Sequence, residues 1–281
     1  MKLRASFVLI LCLLLLPGII TAQDATDPQL VYVRVSVSDR NGRYLTDLEK
    51  QHFQVTEDGK PQAITYFSSN GGPVNVAFLL HDTAGAKDSI AAALTGLTAG
   101  KRPGDEFAVM EIPDAPLHEV VLRGLNTMLQ RGRAMRRALV LITASSDPAR
   151  YPFSRVKEVL KDQDISLYVI GLILPKERPV LEASGRKFFQ DLAEMSGGQS
   201  FFPAGVTPLR DISQKIVIGL QNQYVLGYRP TNTASDGTWR NVSVNVAPGN
   251  PRTGKTEKLR VAARPGYYAP TVVETIPAAK D

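Results

Sequence analysis

Residues able to do chemistry are few in this chain. It has three histidines, His52, His81 and His118, and one cysteine, Cys12. A thiolate zinc site needs several Cys, or Cys with His, and is excluded. The histidines lack the paired spacing of a helical zinc motif. No Gly-x-Ser-x-Gly elbow presents a nucleophile, although composition alone leaves a Ser/His/Asp triad open. Residues Gly249-Asn250-Pro251-Arg252-Thr253-Gly254-Lys255-Thr256 match the phosphate-binding loop pattern. That loop works at the start of a helix, whose first amides hold the phosphates. Here Lys258 to Ala263 alternate and then meet Pro265-Gly266, so the stretch reads as a hairpin connection and not as a nucleotide site. Arg131, Arg133, Arg136 and Arg137 could meet an anionic partner. They read more simply as a solvated helix end whose charge suits the carbonyl dipole. Asn241-Val242-Ser243 fits a glycosylation sequon. The most informative stretch is Val74 to Leu80, an apolar run ending in His81-Asp82-Thr83. In an open α/β sheet, ligands sit beyond the carboxyl ends of the strands, where the strand order reverses. His81 itself reads as a capping or partly buried histidine.

The elements that must position these residues come from a chain of 281 residues, 43% apolar and 21% charged. That balance suits one large globular domain or two modest ones. The net charge of +6 is not clustered as in a nucleic-acid binder, so nucleic acid is not expected as a partner. Lys2 and Arg4, the apolar run Phe7 to Leu16, Pro17-Gly18 and Ile20-Thr21-Ala22 give residues 1–22 the layout of a secretory signal peptide. An uncleaved anchor is the alternative, but the run is short and early for a membrane span. Cys12 lies inside it, so the chain from Gln23 onward has no cysteine and no disulfide to rest on. The expected location is extracytoplasmic, periplasmic or secreted, with no stable membrane span after signal removal.

Val31, Val33, Val35 and Val37 alternate with polar neighbours and predict a half-buried strand. Phe53 to Thr56 predicts a second strand, turning at Asp58-Gly59, with Ile64 to Phe67 as the returning strand. After Ser68 to Pro73 the pattern changes to buried strands alternating with helices. The strands are Val74–Leu80, Phe107–Ile112, Ala138–Thr143, Ile165–Leu172 and Ser200–Phe202. The helices carry Ile90, Ala93, Leu94 and Leu97; Leu125 to Ala138; Val156, Val159 and Leu160 behind a Ser154 cap; Phe188, Phe189, Leu192 and Met195, closed by Gly197-Gly198; and Leu209, Ile212, Ile216 and Leu220, opened by Thr207-Pro208. Period 2 then returns in Tyr224–Tyr228, in Val242, Val244 and Val246, and in Leu259 and Val261. Each β segment alone has too few strands for a core. The expected fold class is therefore α/β: a doubly wound, mostly parallel sheet inserted between the strands of a small antiparallel β-sandwich. Residues 1–22 are the signal, 23–72 the first half of the sandwich, 73–221 the α/β domain, 222–270 the second half and 271–281 a flexible tail.

Residues 74 to about 221 resemble a von Willebrand factor type A domain. The resemblance rests on the buried strand ending in Asp82, the strand Ala138–Thr143 with its following loop, and Tyr168-Val169-Ile170-Gly171. Phe53-Gln54-Val55-Thr56-Glu57-Asp58-Gly59, Gln223-Tyr224-Val225-Leu226-Gly227-Tyr228 and Arg264-Pro265-Gly266-Tyr267-Tyr268 resemble the borders of a bacterial, acidobacterial-type subfamily. That subfamily is exported and has the same β–α/β–β layout. The resemblance implies a divalent-metal site made of Asp-x-Ser-x-Ser, a threonine from another loop and an Asp after a later strand, hard oxygen donors suited to Mg²⁺. This chain keeps Asp82 but has Ala84 and Ala86 where the serines belong, and Ala144 where the later Asp belongs. Ser145, Ser146 and Asp147 follow out of step, and Thr127 is the one candidate for the threonine. The expectation is a degenerate site with no metal, no cofactor and no catalytic residues. The chain would be an exported, non-enzymatic binding module for a protein or cell-envelope component, engaging it through a rim of Asp82, Thr83, Ser145, Ser146 and Asp147. The alternative is an exported hydrolase with an unrecognised site.

Overall fold

The computed structural model describes residues 30–69, 71–81, 86–95, 100–112, 115–130, 136–144, 152–172, 179–247 and 258–271. The first valine alternation forms β1 (Val31–Ser38), which turns Val33, Val35 and Val37 into a core. β2 (Phe53–Glu57) turns through Asp58 and Gly59, both at positive φ (47° and 77°), the mirror-image geometry of tight hairpins. The returning strand is β3 (Lys60–Gln62), not Ile64–Phe67. A two-residue turn leaves no slack, so Lys60 already sits opposite Glu57. β4 (Ile64–Ser68) leaves that sheet for a second one.

The α/β region follows. It contains β5 (Val74–His81), α1 (Lys87–Thr95), β6 (Glu106–Glu111), α2 (Leu117–Leu129), β7 (Arg136–Thr143), α3 (Ser154–Asp162), β8 (Ile165–Gly171), α4 (Pro179–Glu194), β9 (Ser200–Phe201) and α5 (Leu209–Gln221). The chain ends in β10 (Tyr224–Tyr228), β11 (Trp239–Val246), β12 (Arg260–Ala263) and β13 (Gly266–Tyr268). The helix expected over Leu125–Ala138 lies eight residues earlier, and Arg136 onward is strand. Ser154 is the first residue of α3 rather than its cap, and α5 starts at Leu209 with no side chain capping it. Leu97 lies outside the described residues.

β5 to β9 form one wholly parallel sheet in the order β6-β5-β7-β8-β9. Numbered within the region, that is 2-1-3-4-5, a doubly wound order. Both faces are covered, which is why β5 and β7 read as continuous apolar runs. α2, α3 and α4 pack Leu125, Val156 and Phe189 against Leu79, Leu141 and Val169. α1 and α5 pack Ile90 and Ile216 against Val76, Phe78 and Val140 on the opposite face.

The two flanking segments share two antiparallel sheets. One has the order β12-β1-β10-β4 and the other β13-β11-β2-β3. β1 pairs with β10 and β12, and Val35, Tyr224, Leu226, Val242 and Val244 meet between the sheets. The chain is thus a mixed α/β fold with one parallel sheet and two antiparallel ones. The antiparallel pair sits against the amino ends of the parallel strands. Arg34 of β1 forms an ion pair with Asp164, just before β8. Arg264 donates to the carbonyls of Leu160 and Lys161 at the end of α3 (3.3 and 2.5 Å). The Lys161 ammonium lies 5.3 Å from the Trp239 ring. No helix among the described residues is long and apolar enough to cross a membrane.

Candidate functional site

The strand order reverses between β5 and β7, so the place to look is their carboxyl ends. His81 and Thr143 are register partners there. His81 Nε2 lies 3.3 Å from the Ala115 carbonyl oxygen and Nδ1 lies 3.2 Å from Thr143 Oγ1. A carbonyl can only accept, so Nε2 carries the hydrogen and Nδ1 accepts from the threonine hydroxyl. The imidazole thereby joins β5, β7 and the stretch entering α2. With both nitrogens engaged, it ties the two strand ends to the entry of α2. At the neighbouring strand end, Lys87 at the start of α1 pairs with Glu111 of β6, the register partner of Leu80.

Asp82, Thr83, Ser145, Ser146 and Asp147 lie outside the described residues, as does Ala84. Their starting points do not: Asp82 follows His81, and Ser145 follows Ala144, so the two stretches leave the sheet from adjacent strand ends. The donors implied for a divalent metal do not fit. Ala86 and Ala144 offer no oxygen from their side chains and pack against the apolar cluster under α1 and α5. Thr127 lies ten residues into α2, roughly 15 Å along its axis from the end that enters beside Ala115. Its hydroxyl donates to the Arg123 carbonyl of its own helix (2.9 Å). Among the described residues no group of three or more His, Cys, Asp or Glu could hold a metal ion.

The other histidines serve their own elements. His52 Nδ1 accepts the Glu49 amide (2.8 Å), and His118 meets the Phe153 ring at 6.3 Å between centroids. The phosphate-loop match, Gly249 to Thr256, lies outside the described residues, between β11 and β12. The element that follows it is a strand, so the match lacks its helix. Two shallow cavities, of about 300 Å³ beside Tyr44 and Lys215 and about 520 Å³ along β2 and β3, lie away from the carboxyl ends. Arg136 and Arg137 are buried (6% and 5% exposed) at the start of β7, not solvated on a helix. The Arg137 guanidinium donates to the Met128 carbonyl at the end of α2 (3.4 Å), and Arg131 and Arg133 lie outside the described residues.

One cluster escaped the sequence. Glu57, 2% exposed, accepts the Tyr228 hydroxyl (2.8 Å) and the Tyr267 hydroxyl (2.9 Å) through one oxygen. Burial, reinforced by the bond to Glu57, raises both phenols above their ordinary range. Arg240, also buried, grips Asp236 at 3.0 Å. The Thr238 amide, followed by Arg240, holds the Asp236 carboxyl down at about 2. The Tyr228–Glu57 bond joins the two sheets of the sandwich, and the Arg240–Asp236 pair fastens the loop before β11 to that strand.

Comparison with protein-family models, with curated proteins and with solved structures returns no match to this chain.

Proposed function

We propose that this protein is an exported, non-enzymatic binding module related to the von Willebrand factor type A domains, and that it engages a protein or envelope component without a metal bridge. The observation that carries the reading is the polarity of the molecule. The sandwich occupies the amino ends of the parallel strands, and the carboxyl ends at the switch point lie at the opposite end. Ligand-binding loops of doubly wound sheets belong at that free end. The stretches carrying Asp82 and Thr83, and Ser145, Ser146 and Asp147, leave it from neighbouring strands. Ala86 and Ala144 argue for contact through protein groups alone, since a specific Mg²⁺ site needs a fuller set of oxygen donors. The layout of residues 1–22 supports export.

The test is capture of a partner from the exported or envelope fraction on the immobilised chain. Retention should survive EDTA and drop with Asp82→Ala combined with Asp147→Ala. Loss of retention in EDTA would restore a metal bridge. Full retention by the double variant would show that the partner binds elsewhere than the rim.

A further inference from the structure

β6 is the outermost strand of the parallel sheet. β5 pairs with one of its edges, and among the described residues no strand pairs with the other. The contacts of the sandwich described above fall on α3 and the start of β8, beyond β5 and β7 from this edge. All six residues of Glu106-Phe107-Ala108-Val109-Met110-Glu111 are at least partly exposed, and the Val109 side chain is 55% exposed. Proteins commonly blunt such an edge with Lys, Pro, a bulge or a very short strand. β6 has no Lys or Pro, and its register with β5 is unbroken over six residues. Its charges stand at its two ends: Glu106 accepts Asn75 Nδ2 at 2.8 Å, and Glu111 pairs with Lys87. Between them lie four apolar residues.

The pattern of this strand suits a second copy of itself. Two copies related by a two-fold axis run antiparallel. In an antiparallel pair, opposite residues either both point their amide and carbonyl across the seam or both point them away. These directions alternate along a strand, so opposite residues in a self-pair have numbers that are both odd or both even. Glu106 therefore cannot stand opposite Glu111, and the like-charge pair that would oppose association does not form. A register centred on Val109 sets that valine against its copy, Ala108 against Met110 and Phe107 against Glu111. Phe107 packs on the apolar cluster under α1 and α5, and Val109 shares its face by alternation. The central valine pair would extend that layer across the seam.

We propose that β6 is a self-association seam, at which two copies join antiparallel through Val109 into one ten-stranded sheet. The seam reverses strand direction, so the carboxyl ends of the two copies face opposite ways. The seam does not depend on the binding reading above, but with it the dimer carries two rims at opposite ends.

Sedimentation velocity and cysteine cross-linking of the chain carrying Cys12→Ser test this. Across an antiparallel pair, opposite Cα atoms lie about 4.5–5.5 Å apart, within reach of a disulfide. Val109→Cys should give a disulfide-linked dimer about tenfold faster than Thr233→Cys, placed in the exposed loop before β11. Val109→Lys should weaken the dimer by about tenfold or more, and at a concentration low enough that both chains are monomeric its Tm should match the wild type, because the side chain is exposed in the monomer. A monomer at about 100 µM would overturn the seam. So would a dimer that tolerates Val109→Lys, or cross-linking at Val109 no faster than at the control. A foreign strand binding this edge of a chain that stays monomeric would overturn it as well.

Discussion

Glu57 places one carboxylate oxygen between two tyrosines that come from different sheets, Tyr228 of β10 and Tyr267 of β13. Removing the acceptor leaves two phenol hydroxyls without their partner, at about 1–3 kcal/mol each when buried. Glu57→Ala should therefore lower stability by about 3 kcal/mol and Tm by roughly 6–12 °C in a thermal melt. Glu57→Gln keeps an acceptor and should lose much less; equal losses would show that hydrogen bonding is not the cause. The tyrosines also set a limit at high pH. Burial pushes Tyr44 from its ordinary value of 10.0 up to about 12. The unfolded chain loses this proton near pH 10 and the folded chain keeps it, so the contribution is complete below pH 10 and is lost as pH rises through 12. Denaturant unfolding between pH 8 and pH 12 should show a decline that Tyr44→Phe makes shallower by about one proton. An unchanged slope would mean that Tyr44 does not titrate late. The sequence could not reveal the Glu57 cluster, because its partners lie 171 and 210 residues away. The alternating run predicted from the sequence ends at Thr56, one residue short of this carboxylate.

The elements were more legible than their junctions. Period 2 located β1, β10 and β11, and the apolar runs located β5, β7 and β8, because burial on one or both faces writes directly into residue type. α2 was misplaced for a physical reason. The helix expected from the sequence opens at Leu125, one residue past Gly124, yet Gly124 lies mid-helix, where an added Cβ would come within 3.0 Å of Leu79 and Leu139 methyl carbons. The helix uses glycine to approach the sheet closely. β13 follows Pro265 directly and is too short for alternation to announce it. The crossings between the sandwich and the α/β region were also invisible in the sequence. Asp105 accepts the Val74 amide (2.9 Å), the Arg102 amide (2.9 Å) and Gln221 Nε2 (2.7 Å), so one carboxylate fastens the start of β5 and the end of α5. Asp105→Ala should cost about 3 kcal/mol and expose residues 69–73 to limited proteolysis. A variant with wild-type Tm and wild-type cleavage would show that the crossings are held elsewhere.

At the scale of the molecule, one end of the parallel sheet is fastened and the other carries the switch point. The proposed export would place that free end outside the cytoplasm, and it predicts that N-terminal sequencing of the natural protein begins near Gln23; an intact Met1 on a cytosolic species would refute export. A ligand that binds only the folded state stabilises it by about 2.7 kcal/mol at a hundredfold excess over its Kd. Millimolar Mg²⁺ or Mn²⁺ should give no such rise after EDTA treatment, because Ala86 and Ala144 offer no side-chain oxygen at the positions where the proposed resemblance implies donors. A saturable rise of several degrees that Asp82→Ala abolishes would contradict the metal-free reading. Binding at the carboxyl rim can be read out by site-specific photo-cross-linking in the natural host. A photoreactive residue at position 83 or 146 should give a discrete cross-linked partner, and one at the exposed Ser243 of β11 should not. No adduct from either rim position, or the same adduct from position 243, would contradict it.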